Sequence, residues 1–454
     1  MQLPVVLLIL LEAALAVIAL RLSAEFLMPT ILDKPGLDIP YHEYLLFTGV
    51  VILSQAAMGL HHSRLRAGPI GITLRLVLGA GASFAALLML AWLSALFEMG
   101  LAPFALALLL TVAGNFLLRT AIARFVPAEL FKRRVLVFGA GRQATSISNL
   151  KRRTDRVGFE VVGYVRTEGD APGSVDACEL EPGQLLAFCE RNDVDEIVVA
   201  MDDRRRAFPL HDLLECRLWG IDIIELLSFL DRETGKVRLD VLHPSWMIFA
   251  EGFRRSLWRD VVGAALDLFA SAVLLAIAWP LMLLTVIAIK LEDGWRAPAL
   301  YRQRRVGRYG RQFHVLKFRS MGIDAEPDGV PRWAQPGDAR VTWVGRLIRK
   351  LRIDEFPQVF NVLKGDMRFV GPRPERPEFV EELSQRIPYY QERHVVPPGL
   401  TGWAQLCYPY GSSEQDAAEK LQYDLYYIKN RSVVFDIAIL VQTVEVVLFG
   451  KGAR

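Results

Sequence analysis

The chain has 454 residues, 52% hydrophobic and 23% charged, which fits several domains of about 100 to 200 residues each, part membrane and part soluble. Lys plus Arg number 53 against 50 Asp plus Glu, so a global polycation is excluded, no nucleic-acid partner is expected, and any anion site must come from local clustering. The four cysteines, Cys178, Cys189, Cys216 and Cys407, form no C-x-x-C pair, which argues against a zinc site or a disulfide framework and fits a reducing compartment.

Four apolar runs occupy the first quarter, at residues 3–20, 44–60, 74–97 and 101–122. Each is near the roughly 20 residues needed to cross a bilayer, which predicts a four-helix transmembrane domain over residues 1–125. Reading the first run as a signal peptide is disfavoured, because it lacks a basic leading region and no small-residue cleavage site follows Leu20-Arg21-Leu22. Arg64, Arg66 and Arg75 follow the second run, the loop at 98–100 has no Lys or Arg, and Arg119, Arg124, Lys132, Arg133 and Arg134 follow the fourth. The positive-inside rule then puts both ends of the bundle on the cytoplasmic side of a bacterial inner membrane.

Residues 133–245 change to short β-branched runs alternating with mixed helical stretches, the pattern of a Rossmann-like parallel α/β domain. Strands are predicted at 135–138, 161–165, 196–200 and 221–224. The first leads into Gly139-Ala140-Gly141-Arg142-Gln143-Ala144, close to a dinucleotide fingerprint. The second, however, ends in Tyr164-Val165-Arg166, where an acidic residue would hold a ribose, and no Tyr-x-x-x-Lys pair exists to move protons. A nucleotide-sugar dehydratase or epimerase is therefore disfavoured. The glycine loop reads as a tight strand-to-helix turn in preference to a degenerate regulatory nucleotide site.

A fifth apolar stretch, about 261–289, contains Asp267 and Pro280 and is flanked on both sides by arginines. A crossing would carry the Arg-rich remainder outside, against the charge bias, whereas a proline break lets the segment enter and return on one side. A re-entrant helical hairpin broken at Pro280 is expected over a fifth, proline-kinked crossing. Residues 433–449 are apolar but carry Asp436, Gln442 and Glu445, which favours a helix lying in the interface.

Between Tyr301 and Ser320 stand Arg302, Arg304, Arg305, Arg308, Arg311, Lys317 and Arg319, interleaved with Gly307 and Gly310. Glycines among arginines permit tight turns and close approach to phosphate oxygens. Further on, Arg349-Lys350-Leu351-Arg352-Ile353-Asp354-Glu355-Phe356-Pro357-Gln358 reads as an ordinary helix start, with Asp354 as N-cap and Val359, Phe360 and Leu363 on the buried face. The same residues allow chemistry. Adjacent carboxylates beside a basic cluster can hold a hard divalent cation or supply a carboxylate nucleophile for phosphoryl transfer.

Lys317-Phe-Arg-Ser-Met321, Asp354-Glu355, Leu363-Lys-Gly-Asp-Met367, Gly371-Pro-Arg-Pro374, Pro398-Gly-Leu-Thr-Gly-Trp-Ala-Gln405 and Tyr423-Asp-Leu-Tyr-Tyr427 occur in this order. With them, residues 254–454 resemble the bacterial sugar transferases, the monotopic phosphoglycosyl transferases, and the whole chain resembles their long form. The resemblance implies a monotopic α/β catalytic domain with a re-entrant membrane helix. It implies transfer of a hexose-1-phosphate from a UDP-sugar to undecaprenyl phosphate, with release of UMP, through an aspartyl-phosphosugar intermediate, as the initiating step of exopolysaccharide, capsule or O-antigen synthesis. It assigns the nucleophile to Asp354, assistance to Mg²⁺ to Glu355, a weaker metal role to Asp366, and phosphate binding to Lys317, Arg319, Arg349 and Arg373. Trp279-Pro280 and Ala297-Pro298 stand where the family often has Ser-Pro and Gly-Pro. The expected partners are thus a UDP-sugar, undecaprenyl phosphate and membrane lipids, and the middle domain offers surface for a homodimer. A membrane scaffold that keeps the fold without activity is disfavoured by the intact dyad and its cations.

Overall fold

The computed structural model describes residues 3–31, 39–60, 69–93, 101–125, 132–150, 153–156, 158–171, 175–203, 208–250, 252–253, 256–322, 340–408, 411 and 413–449. The chain divides into two compact units, Met1–His243 and Pro244–Arg454.

The first unit opens with helices α1 (Leu3–Ile31), α2 (Tyr41–Ala57), α3 (Pro69–Leu93) and α4 (Leu101–Phe125). Leu20, Phe47, Leu87 and Phe104 meet in its interior, with the two phenylalanine rings stacked 5.9 Å apart. Glu12 is buried there and accepts a hydrogen bond from Arg119 at 2.5 Å, so two charges inside apolar helices neutralise each other. Among the described residues, four helices are long and apolar enough to cross a membrane, through windows at Val6–Leu27, Gly71–Ala91, Ala102–Ile122 and Leu257–Asp293. The expected second span is not among them. At 17 residues α2 is about 25 Å long, short of a hydrocarbon core of about 30 Å. Arg75, counted above with the loop charges, lies within α3, is buried, and donates to the Met58 carbonyl at 3.3 Å. Arg64, Arg66 and the 98–100 loop lie outside the described residues.

The same unit continues as β1 (Arg133–Phe138), α5 (Arg142–Ser148), β2 (Phe159–Val165), α6 (Leu185–Arg191), β3 (Glu196–Val199), α7 (Leu210–Leu218), β4 (Asp222–Glu225) and α8 (Leu226–Thr234). All four expected strands are present, shifted by a residue or two, and pair in parallel in the order β2-β1-β3-β4. Because strand side chains alternate, Val135 and Val137 pack with Ile147, Phe229 and Leu230 on one face. Leu136 and Phe138 pack with Leu185, Leu213 and Cys216 on the other. Cover on both faces explains why these strands read as continuous apolar runs.

The second unit begins with α9 (Pro244–Phe249) and α10 (Leu257–Asp293), which runs as one 37-residue helix through Pro280. An antiparallel hairpin, β5 (Leu300–Val306) and β6 (Gln312–Phe318), follows, then α11 (Trp343–Lys350), a 3₁₀ segment (Ile353–Gln358) and α12 (Val359–Lys364). Strand β7 (Arg368–Val370), α13 (Pro377–Arg386), a second 3₁₀ segment (Tyr390–Val395), β8 (Gly399–Thr401), α14 (Trp403–Cys407), α15 (Glu414–Asn430) and α16 (Val433–Phe449) complete it. Ile289 on α10 clusters with Phe318, Val344, Ile348 and Ile353, so one apolar core fixes the base of the 3₁₀ segment that carries Asp354 and Glu355.

Two local expectations are corrected. Asp354 is not the N-cap of an α-helix; it sits inside the 3₁₀ segment, after Arg352 turns the chain with φ 59°. On α12 the buried residues are Val359, Asn361 and Val362, while Phe360 and Leu363 are exposed.

Candidate active site

The dyad is assembled from three separate stretches of chain. Lys317 near the end of β6 reaches Glu355 Oε1 with Nζ at 3.2 Å, and Arg373 reaches the same oxygen with Nη2 at 2.8 Å. Asn361 holds β6 in place for this contact. Its side-chain amide donates to the His314 carbonyl at 2.7 Å and accepts from the Leu316 N–H at 2.9 Å, as a neighbouring strand would. Arg373 stands on the Gly371-Pro372-Arg373-Pro374 loop, where a Cβ on Gly371 would collide with the Pro397 carbonyl. Glycine is therefore required for this loop to lie against residues 397–399.

The two carboxylates meet different fields. Burial pushes Glu355 upward, but Arg373 and Lys317 outweigh it and hold the carboxyl well below the usual range. For Asp354, burial and then the neighbouring Glu355 charge raise the pKa, with Lys317, Arg349 and Arg352 opposing. Burial also drives Lys317 downward, against the pull of Glu355. Among the described residues the Asp354 carboxylate makes no hydrogen bond, so the group with the more basic oxygen is also the unencumbered one.

Of the expected site residues, Asp354, Glu355, Lys317 and Arg373 come together, and Arg349 lies close enough for its charge to act on Asp354. Arg319 follows β6, its N–H donating to the Ala299 carbonyl at 2.9 Å; its Nε and Nη1 are buried with no hydrogen-bond partner among the described residues. Asp366 is engaged elsewhere, 3.2 Å from Lys364 and 3.4 Å from the Asn361 amide. Among the described residues no group of three His, Cys, Asp or Glu side chains converges as a metal site, so Asp354, Glu355 and Asp366 do not form one. Pro280 lies within α10, which continues through it, so the helix break expected there is not present. Asn361 is a site residue to which the sequence reading gives no role, since nothing in its spacing marks an amide that substitutes for a strand.

The glycine loop of the first unit contrasts with this site. The Ala140 N–H donates to Asp170 at 2.8 Å, and the Arg142 and Gln143 N–H groups donate to the two oxygens of Asp202, each at 2.9 Å. A Cβ on Gly139 would collide with the Ala200 carbonyl and one on Gly141 with the Asp202 carboxylate. The donors that would cradle a pyrophosphate are taken by the protein's own carboxylates, which accords with the structural reading of the loop.

The model of the family described as "Bacterial sugar transferase" matches residues 258–450, a stretch that includes the dyad and both of its cations. A UDP-N-acetylgalactosamine-undecaprenyl-phosphate N-acetylgalactosaminephosphotransferase from Aeromonas hydrophila is 41% identical over 242 residues, 53% of this chain and 56% of that protein. A UDP-glucose:undecaprenyl-phosphate glucose-1-phosphate transferase from Xanthomonas campestris pv. campestris is 30% identical over 359 residues, 75% of this chain and 72% of the relative. One of the same description from Escherichia coli (strain K12) is 33% identical over 334 residues, 71% of this chain and 69% of the relative. Matches of this extent, on a chain that gathers two carboxylates and two cations from separate motifs, place the protein in the bacterial sugar transferase family.

Proposed function

We propose that this chain is a phosphoglycosyl transferase that moves a hexose-1-phosphate from a UDP-sugar to undecaprenyl phosphate at the cytoplasmic face of the inner membrane. The observation that carries the reading is the division within the dyad: Glu355 is clamped by Lys317 and Arg373, while Asp354 beside it is free of hydrogen bonds among the described residues. In the first step an Asp354 oxygen attacks the sugar-bearing phosphorus, the bond from that phosphorus to the bridging oxygen breaks, and UMP leaves with the electron pair. An oxygen of undecaprenyl phosphate then attacks the same phosphorus and displaces the Asp354 carboxylate, giving undecaprenyl-diphosphate-sugar. Lys317, Arg349 and Arg373 screen the phosphates, and Glu355 keeps two of these cations in place.

The donor set fits Mg²⁺ in its usual manner, in which one or two carboxylates hold the ion and substrate phosphates and water complete its shell. Asp354 and Glu355 would hold it, and its chemistry would be to neutralise charge on the transferred phosphate.

Membrane seating is supported by exposed apolar side chains near the dyad. Trp343, Leu347 and Leu351 recur every fourth residue along and just past α11, and Phe360 and Leu363 share a face of α12. For α10, the re-entrant reading is supported at both ends. Near its start, Asp260 lies 3.4 Å from Arg431 and Asp267 accepts from the Phe369 N–H at 3.2 Å. Near its end, Glu292 accepts from the Trp343 and Val344 N–H groups at 2.7 and 3.0 Å. A perpendicular crossing would place these two ends on opposite sides of the bilayer, yet both are bound to the same unit.

The test is UMP release by purified membranes from UDP-glucose, UDP-galactose and UDP-N-acetylgalactosamine, with and without undecaprenyl phosphate and Mg²⁺. Release that depends on lipid and Mg²⁺ is expected with one donor. No UMP from any of them, with folded protein, would favour the scaffold. Cysteine labelling at Lys290 and Arg302 is expected only from the cytoplasmic side; labelling from outside would refute the re-entrant reading.

A further inference from the structure

Arg393 belongs to no part of the mechanism above, and it is among the most enclosed side chains of the second unit, 6% exposed. Its Nη2 donates to Asp424 at 2.7 Å and to the backbone carbonyl of Arg373 at 3.1 Å, and its Nη1 donates to the Tyr390 hydroxyl at 2.8 Å. The guanidinium lies 5.2 Å from the centre of the Tyr390 ring. One side chain thus joins the second 3₁₀ segment, α15 and the loop that carries Arg373.

The atom it holds matters more than the number of bonds. Arg373 stands between Pro372 and Pro374, which have no N–H to tie the loop down, so the backbone tethers of those two residues come through their carbonyls. Gly399 takes the Pro372 carbonyl at 2.9 Å, Arg305 takes that of Pro374 at 3.0 Å, and Arg393 takes that of Arg373 itself. Asp424 and Tyr390 leave the planar guanidinium one orientation, with the second N–H of Nη2 aimed at this carbonyl. Asp424 is the acid of Tyr423-Asp-Leu-Tyr-Tyr427, a motif with no role in the chemistry so far.

We infer that Arg393, oriented by Asp424 and Tyr390, is a positioning residue that sets the reach of Arg373 onto Glu355. When the tether slackens, the Arg373 guanidinium moves off Glu355 Oε1, and Glu355 keeps only Lys317 of its two cations. This inference rests on the proposed transferase function for its kinetic signature, but its structural consequence is independent of turnover.

The test is a double-mutant cycle with Arg393→Lys and Arg373→Ala, read by UMP release, together with hydrogen exchange of the free enzyme. Lysine keeps the charge but cannot span the three acceptors. Arg393→Lys is expected to lower kcat/KM about tenfold, the scale of a displaced group, with most of the loss in kcat and little in KM. In the Arg373→Ala background it should cost nothing further. Exchange should rise in peptides covering 371–376 and stay unchanged in the four-stranded sheet and α13. Additive losses, a loss confined to KM, or faster exchange throughout the second unit would overturn the inference. If Arg393→Lys does not fold, Tyr390→Phe replaces it and should show a smaller loss with the same non-additivity. Should the wild type release no UMP, the transferase reading fails, and exchange at 371–376 still decides whether Arg393 holds the loop.

Discussion

Two carboxylates, Asp202 in the first unit and Asp354 in the second, show how the same chemical group is put to opposite uses. Asp202 accepts N–H donors from both Arg142 and Gln143 and, with Asp170 on Ala140, fills the glycine loop from within. Asp354 makes no hydrogen bond among the described residues, because its neighbour Glu355 takes Lys317 and Arg373. A satisfied carboxylate stabilises a turn; an unsatisfied one among cations is available to an incoming phosphorus. Under the proposed function, the fingerprint-like loop is the structural part of this molecule, and the Asp-Glu pair that resembles a plain helix start is the reactive part.

Each side of this contrast can be broken. Asp354→Asn has the largest expected effect: UMP release should fall by at least about 10³-fold, while fractionation still finds the protein in membranes. Near-normal turnover would remove Asp354 as nucleophile. Glu355→Gln should cost about 10²-fold in kcat, since both cations lose the charge that fixes them. Trapping the phosphosugar on the protein after one turnover should still succeed in that variant, more slowly, and fail with Asp354→Asn.

Glu355 also predicts a pH dependence. Its folded pKa lies below the ordinary glutamate value of 4.5, so its stabilising contribution is complete above that value and is lost as pH falls below it. Thermal melts in detergent from about pH 5 down to about pH 2.5 should show a steeper decline for the wild type than for Glu355→Gln; parallel declines would contradict the clamp.

The smallest effect belongs to the other side. Asp202→Ala should destabilise the four-stranded sheet unit by about 1–2 kcal/mol, as for a lost helix cap, and leave UMP release unchanged. A Gly141→Ala variant should be worse, because its Cβ would displace the same carboxylate. If Asp202→Ala instead altered turnover, the glycine loop would have to be coupled to the chemistry.

Much of this was legible beforehand, for identifiable reasons. The parallel sheet could be read because strands buried on both faces appear as unbroken apolar runs, and Val135–Phe138 is one. The dyad and its cations could be read because they lie in short motifs. Phe360 and Leu363 were misplaced because periodicity reports an apolar face without saying whether protein or lipid covers it. The run at 44–60 is displaced from α2 by three residues, because hydropathy extends into a turn where the helix has already ended, at Ala57, while the helix starts among polar residues at Tyr41. Arg75 looked like a loop charge because its partner, the Met58 carbonyl, is 17 residues away.

The sequence by itself determined the apolar helices, the α/β pattern and the presence of an acid pair among cations, because each follows from composition and spacing over a few neighbouring residues. Which acid is clamped and which is free was decided only by tertiary structure. Lys317 lies 38 residues before Glu355 and Arg373 lies 18 after it, and only the folded chain brings both to one oxygen and leaves Asp354 open.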